Sequence, residues 1–361
     1  MEATIKREDL QMALKAVVRI TGKPNILFLQ TSSKGTLSII SNSTRYLRYR
    51  INAKKVKPGY VSLHTSILNG LTSLRKDVIS LKKKGNSLMI EGGTKLKVYC
   101  AESSKDEMTP PEIDSPKVVS IESKDVGIFR KLIEKVSFNA IGDDNNVVVK
   151  LINTNKSFII AMADAVHCSF YYYDKPISEK PFSFITYLDM LQSIIPFLED
   201  KSKLKISNNL LMVSSFNLLT TLPALQVGSD IIKNAKTALS KDNYKKGSVI
   251  FDLKKFEKVF SSISVVREGA DILKMKIGSK KLGFELRTSF GVSKDSIKCG
   301  KNSGKNMSLK LPVIMFRDVL NSCSFGEQIQ LKIGKQEKFF MVSSSDKYYK
   351  VKSIAPLSSV Q

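Results

Sequence analysis

Hydrophobic and polar positions repeat one pattern three times along the chain. Each copy opens with a short apolar stretch and a polar residue, and then places apolar residues at helical spacing over about three turns. The copies start about 115 to 130 residues apart, with IKREDLQMALKAVVRI from Ile5, VVSIESKDVGIFRKLIEKVSF from Val118 and GSVIFDLKKFEKVFSSISVV from Gly247. The pattern predicts an internal repeat of domain size, in which each copy begins with a strand and an amphipathic helix.

Each copy continues in the same order, with alternating strand patterns, a second helix and closing strands. The second helices are predicted in TSILNGLTSLRK from Thr65, TYLDMLQSIIPFLED from Thr186 and PVIMFRDVLNSCS from Pro312. Two polar segments, 103–117 and 233–247, are predicted linkers. The sequence therefore predicts an α+β protein with two helices packed on antiparallel sheets in each of three repeated domains, 1–115, 116–246 and 247–361.

The composition is strongly basic. Among 361 residues, 58 lysines and arginines stand against 33 acids, which gives a net charge of +25. Each predicted domain carries part of this charge, so it is not confined to a tail. The balance favours a polyanionic partner such as nucleic acid. The alternative is a lysine-rich surface that reflects an AT-rich genome, and composition alone does not separate the two.

The opening helices carry basic residues opposite their apolar stripes. In the first, Leu10, Leu14 and Val17 form the stripe, and a turn of about 100° per residue places Lys15 and Arg19 on the other side. The alternative is an ordinary solvated helix face. Because three equivalent helices share the bias, we predict phosphate contacts that do not read base sequence. The predicted DNA-binding residues are Lys15, Arg19, Lys76, Lys124, Lys131, Lys135, Lys254, Lys255 and Lys258.

Few residues suggest catalysis. The four cysteines lack Cys-x-x-Cys spacing, and His64 and His167 form no metal-binding pattern, so no metal, cofactor or catalytic residue is predicted. GKNSGKN at 300–306 departs from a phosphate-binding loop, and Asp143-Asp144 lies in a predicted turn. YYYD at Tyr171–Asp174 has rings that can stack bases, although ordinary sheet packing is favoured at a strand end. We expect a protein that is not an enzyme.

No stretch of about 18 apolar residues and no basic and then apolar leader occurs in the sequence. Nothing in the pattern therefore calls for a membrane or for secretion. The protein is expected in the cytoplasm.

Six short stretches carry a family resemblance: IKREDLQMAL at the start, GKP at 22–24, LIEKVSFNA, IAMADAVHCS, DLKKFEKVF and the terminal KVKSIAPL. Together with the triple repeat, they resemble the bacterial-type DNA polymerase III β sliding clamp, the processivity ring of replicative polymerases. The resemblance covers nearly the whole chain. It implies three DNA-clamp domains and a ring-shaped, head-to-tail homodimer whose helices line a hole for duplex DNA.

The resemblance also implies site residues. Lys23 matches a basic loop residue that touches DNA in the family. Leu96 and Val98 match an edge strand that meets the third domain of the other subunit, where Val265 and Val266 match. The family's pocket for partner peptides matches two segments, which are Ala163, Asp164, Ala165, Val166, His167 and Cys168, and the terminal Ile354, Ala355, Pro356 and Leu357.

The function implied by the resemblance is that of a sliding clamp, which encircles double-stranded DNA, tethers a DNA polymerase and is placed on DNA by a separate clamp loader. The alternative is a monomeric or open basic DNA-binding factor on the same fold, serving replication or transcription. A nuclease is disfavoured because acids and histidines do not cluster. The net charge of +25 departs from the acidic exterior usual in cellular clamps, which fits a phage-encoded clamp in the cytoplasm of its host.

Overall fold

The chain forms two compact units in a computed structural model. The first unit contains Met1–Gly127 and Ser193–Ala224, and the second contains Ile128–Gln192 and Leu225–Gln361. The structure describes residues 1–22, 24–113, 118–137, 147–163, 168–226, 229–238, 244, 247–263, 272–300, 306–323, 326–334 and 339–356.

The elements are numbered in chain order within these described ranges. The helices are α1 Arg7–Thr21, α2 Leu68–Thr72, α3 Ser123–Ser137, α4 Leu188–Ile194, α5 Ser229–Ala238, α6 Leu253–Ile263 and α7 Val313–Ser322. The strands are β1 Glu2–Lys6, β2 Ile26–Ser32, β3 Thr36–Asn42, β4 Tyr46–Asn52, β5 Lys54–Lys57, β6 Gly59–His64, β7 Val78–Lys84, β8 Ser87–Glu91, β9 Lys95–Tyr99, β10 Val119–Ile121, β11 Val148–Asn153, β12 Phe158–Ala163, β13 Cys168–Tyr173, β14 Phe182–Tyr187, β15 Lys203–Ile206, β16 Leu210–Ser214, β17 Leu218–Pro223, β18 Gly247–Asp252, β19 Ile272–Ile277, β20 Lys281–Thr288, β21 Gly291–Lys298, β22 Met307–Pro312, β23 Gln328–Ile333, β24 Phe339–Ser345 and β25 Tyr349–Pro356.

The first unit contains two antiparallel sheets, in the orders β5-β1-β7-β8-β9 and β10-β15-β16-β17-β4-β3-β2-β6. α1 packs on β3 and β4, and its apolar stripe of Leu10, Leu14 and Val17 is at most 1% exposed. Thr220 in β17 pairs with Leu47 in β4, and its hydroxyl donates to the Tyr46 carbonyl at 2.7 Å. Strands from the first two predicted domains therefore belong to one sheet.

The second unit also contains two antiparallel sheets, in the orders β14-β11-β12-β13-β25-β24-β23-β18 and β21-β20-β19-β22. α6 packs on β18, β20 and β21, while α7 packs on β22 and β25. The ring of Phe256 in α6 lies 5.2 Å from that of Phe284 and 5.6 Å from that of Phe316. These edge-on aromatic contacts fix which side of α6 faces its sheet.

The α+β class with antiparallel sheets is confirmed, and the three predicted opening helices correspond to α1, α3 and α6. The second helix of the first repeat is shorter than predicted. Thr65–Ile67 forms a 3-10 turn, and only Leu68–Thr72 is α-helical. Gly70 and the β-branched Thr72 have low helix propensity, which accounts for the early end. The division into three domains stays a prediction.

The segment predicted as a linker at 233–247 is partly helical, because α5 covers Ser229–Ala238. Ile232 is buried, whereas Lys233, Asn234 and Lys236 are exposed. These exposed polar residues give α5 the composition of a linker, which is why the sequence did not predict a helix here. Asp143-Asp144 and residues 301–305 of GKNSGKN lie outside the described residues.

Candidate nucleic-acid interface

α1 has one buried apolar side and one exposed basic side. Lys15 and Arg19 are exposed, and among the described residues neither forms a salt bridge. Arg19 lies in the last helical turn, where a positive charge is favourable to the helix dipole. The helix ends at Gly22, whose φ of 74° is a conformation that glycine adopts without strain. Lys23 follows directly and lies outside the described residues.

α3 repeats this arrangement. Phe129, Leu132 and Ile133 are fully buried, while Lys124 and Lys131 are exposed and Lys135 is half-buried. Seven residues separate Lys124 from Lys131, so the two side chains lie on nearly the same side of the helix. Arg130 on α3 is paired with Glu134, with Nε 2.9 Å from Oε1. The predicted basic face of α3 is thus present. Its lysines supply the charge, because the charge of Arg130 is paired with Glu134.

α6 has the most sharply divided sides of the three helices. Leu253, Phe256, Phe260 and Ile263 are buried, and the basic residues Lys254, Lys255 and Lys258 are all exposed. Asp252 caps the N-terminus of the helix, because its Oδ1 accepts the backbone N–H of Lys255 at 2.9 Å. The cap and the phenylalanine contacts together hold the three lysines on the side away from the sheet.

Lys76 is placed differently from the other predicted DNA contacts. It is exposed, but it follows α2 rather than lying on it, and its backbone N–H donates to the Gly92 carbonyl at 3.0 Å. Exposed lysines that share a helix side form a row of charge that follows a phosphate backbone. Lys76 has the charge for a phosphate contact but does not lie on a helix, and its role stays a prediction.

Of the residues predicted for partner peptides, Ala163, Cys168, Ile354 and Ala355 are described with their side chains and lie at one end of the β13–β25 strand pair. Cys168 in β13 pairs with both Ala163 in β12 and Ile354 in β25. All three are buried, as is Ala355. Asp164, Ala165, Val166, His167 and Leu357 lie outside the described residues, and of Pro356 only the backbone, which ends β25, is described.

This apolar cluster is covered by two residues that the sequence did not single out. Ile232 of α5 and Tyr244 are 5% and 8% exposed, and both pack in one cluster with Ala163, Cys168 and Ile354. Burial raises the pKa of the Tyr244 phenol well above its usual range, and the nearby Cys168 adds to the effect. The apolar Ile-Ile pair in GSDIIKNAKTA was the available signal, but the surrounding polar residues masked it.

The predicted subunit contact has one described side. Leu96 and Val98 are half-buried in β9, which among the described strands pairs only with β8 and so forms an edge of its sheet. Lys95, Lys97 and Tyr99 alternate with them and are exposed. An edge strand has unpaired backbone groups that can accept a strand of another chain. Val265 and Val266 lie outside the described residues, so the pairing stays a prediction.

In the part of the chain that the structure describes, no three or more His, Cys, Asp or Glu side chains are grouped so that they could hold a metal ion. No helix in that part is long and apolar enough to cross a membrane.

Comparison with known proteins defines the fold. No protein-family model matches the sequence, and no curated protein matches it either. Solved structures of bacterial sliding clamps, in contrast, align with 100% of this chain and 100% of their own. The chain therefore has the sliding-clamp fold over its full length, which confirms the predicted resemblance at the level of fold.

Three of these structures illustrate the degree of similarity. The DNA polymerase sliding clamp from Bacillus subtilis aligns with a TM-score of 0.82 at 14% identity. The Helicobacter pylori beta clamp bound to DNA ligase peptide aligns with a TM-score of 0.80 at 16% identity. The DNA polymerase III subunit beta from Pseudomonas aeruginosa aligns with a TM-score of 0.77 at 15% identity.

Proposed function

We propose that this protein is a DNA sliding clamp, a processivity factor without enzymatic activity that encircles duplex DNA and tethers a DNA polymerase. The observation that carries the proposal is the basic side of α1, α3 and α6, repeated on three equivalent helices of a full-length clamp fold. Phosphates would offset the mutual repulsion of these lysines once DNA is threaded.

The proposed assembly is a head-to-tail homodimer in which β9 of one copy meets the third predicted domain of the other. A separate clamp loader would open and place the ring, and the protein would act in the cytoplasm of a bacterium or of the host of a phage. The H. pylori clamp was solved with a DNA ligase peptide, which supports a site for short partner peptides here. Because Cys168 and Ile354 are buried in one cluster with Ile232 and Tyr244, a peptide would reach them only after this cluster has opened.

The second candidate is an open or monomeric basic factor of the same fold that binds DNA by charge alone. The net charge of +25 favours it. The two candidates differ in topology, so the discriminating measurement is retention on nicked circular and on linear DNA after loading. A ring stays on circles and runs off linear molecules, whereas charge binding gives equal loss from both. Sedimentation as a monomer at both low and high salt would contradict the ring.

The basic lining is tested by reversing Lys15, Arg19 and Lys23 to Glu together. We expect weaker DNA retention at physiological salt, because each lost phosphate contact lowers the slope of log K against log salt by about 0.9. The measurement is retention on nicked circles over a salt series, with the melting temperature as a check on folding.

The matched control applies the same charge change to Lys201, Lys203 and Lys205. Lys203 and Lys205 are exposed and alternate with buried Leu204 and Ile206 in β15, so they point away from the packed side of their sheet. Retention should be unchanged in this control. Equal losses in both triple variants would mean that net charge, and not the helix side, governs binding.

A further inference from the structure

A surface cavity lies at the other end of the β13–β25 pair from the apolar cluster. Its volume is about 400 Å³, within the range of pockets that hold small organic ligands. Four of its lining residues are tyrosines, at positions 172, 173, 348 and 349. Tyr173 in β13 pairs with Tyr349 in β25, and the turn before β25 supplies Tyr348, which is 39% exposed.

The tyrosines are held in a fixed arrangement. The rings of Tyr173 and Tyr349 stack with centroids 5.2 Å apart. Asp346 Oδ1 accepts the backbone N–H groups of Tyr348 at 2.8 Å and of Tyr349 at 2.7 Å, and the Asp174 N–H donates to the Tyr348 carbonyl at 3.1 Å. The turn that presents Tyr348 is therefore set before any ligand arrives, which lowers the entropy cost of binding.

Lysines surround these rings. Lys175 and Lys347 place Nζ 5.3 Å and 4.9 Å from the centroid of the Tyr348 ring. Lys131 of α3 places Nζ 4.4 Å from that of Tyr349. Lys350 and Lys352 line the cavity together with two acidic residues, Asp174 and Asp346. The site is thus positive, and one of its two carboxylates is already engaged by backbone amides.

We propose that this cavity binds single-stranded DNA. An unpaired base stacks on Tyr348 in place of a lysine ammonium group, and Lys175 and Lys347, which lie over that ring in the free protein, hold the adjoining phosphates. Exposed aromatic rings flanked by lysines are the combination that binds single strands without reading their sequence. A duplex cannot use the site in this way, because its bases are already stacked on one another. Lys131 belongs to the basic side of α3 and contacts the ring of Tyr349, so the predicted duplex-binding side of α3 adjoins the cavity.

The sequence favoured ordinary sheet packing for YYYD, and in the structure this holds for one of its three tyrosines. Tyr171 is fully buried, as the packing interpretation requires, whereas Tyr172 and Tyr173 are half-buried and line the cavity. Tyr348 and Tyr349 lie far away in sequence, and the pairing of β13 with β25 places Tyr349 opposite Tyr173, where the two rings stack. The ring of Tyr172 stacks on Phe170 instead.

The test measures binding of a fluorescein-labelled oligothymidylate of about ten nucleotides, a length within the usual site size, by anisotropy. Tyr348→Ala should weaken binding roughly 5- to 150-fold, because stacking on one ring is worth about 1–3 kcal/mol per base, whereas Tyr348→Phe should bind as the wild type does. Phe216→Ala is the matched control, since Phe216 is 81% exposed and lies elsewhere. Equal affinities of Tyr348→Ala and wild type would overturn the proposal.

A second variant tests the phosphate contacts. Lys175→Gln with Lys347→Gln should lower the salt slope for the oligonucleotide by about 1.4, at about 0.7 per contact, while Lys201→Gln with Lys203→Gln should leave it unchanged. An unlabelled oligoglutamate peptide that competes equally well, and loses affinity equally in Tyr348→Ala, would assign the cavity to an acidic protein and overturn the proposal.

This inference does not depend on ring closure, because the free protein binds the oligonucleotide without a loader or a circle. Tyr348→Ala should leave retention on nicked circles unchanged. If the wild type does not stay on circles, the sliding clamp is contradicted. If Tyr348→Ala nevertheless weakens oligonucleotide binding, the proposal for the cavity stands.

Discussion

The two ends of the β13–β25 ladder share one backbone arrangement and differ in the side chains that face each other across it. At one end Cys168 faces Ile354, and both are buried in one apolar cluster with Ile232 and Tyr244. At the other end Tyr173 faces Tyr349 beside an open cavity. The first end is apolar and covered, whereas the second is aromatic, basic and accessible.

This difference separates stability from recognition within one strand pair. An apolar cluster removed from water stabilises the fold in proportion to its buried area. Partly exposed tyrosines and lysines contribute much less to stability, and their rings and charges remain available for a ligand. The comparison therefore predicts that substitutions at the covered end act on folding, and that substitutions at the open end act on binding.

The largest expected effect is on stability at the covered end. Ile354→Ala should lower the free energy of unfolding by about 2–5 kcal/mol, because the side chain is 3% exposed and its removal leaves a cavity. Lys350→Ala, in the same strand but exposed at the open end, should change it by no more than about 0.5 kcal/mol. The measurement is the urea midpoint at constant m-value. Similar midpoints for both variants would show that the two ends do not differ in this way.

A smaller effect is expected on the cover itself. Ile232→Asp should detach α5 and raise the alkylation rate of Cys168 roughly ten- to hundredfold, because burial of an isoleucine side chain is worth about 1.5–3 kcal/mol. Mass spectrometry after timed iodoacetamide labelling gives the rate at each cysteine. Cys323 is the internal control and should keep its rate, because it is buried against Ser353, whose side chain faces the opposite side of the sheet from that of Ile354. A parallel rise at Cys323 would indicate general unfolding instead of movement of α5.

The sequence predicted those features that depend on local periodicity. α1, α3 and α6 follow from apolar stripes at helical spacing, and their exposed lysines follow from the same geometry. The sequence did not predict α5, because its linker-like composition resembles that of a solvated segment, although Ile232 is buried. The cavity could not be predicted from the sequence for a different reason. It depends on the register between Tyr173 and Tyr349, which local sequence does not encode.

The smallest expected effect compares the phenols of the two ends. Burial raises the pKa of Tyr244 at the covered end and of Tyr349 at the open end above 10.0, and the shift at Tyr244 is the larger. The folded state keeps each phenol protonated while the unfolded state ionises near pH 10, so stability is full below that pH and falls as pH rises above it. Tyr244→Phe should reduce this fall by at most about 1.4 kcal/mol at one pH unit above 10, and Tyr349→Phe by less. Urea unfolding across this range measures both variants, and a larger effect from Tyr349→Phe would mean that the open end shields its phenol better than the covered end.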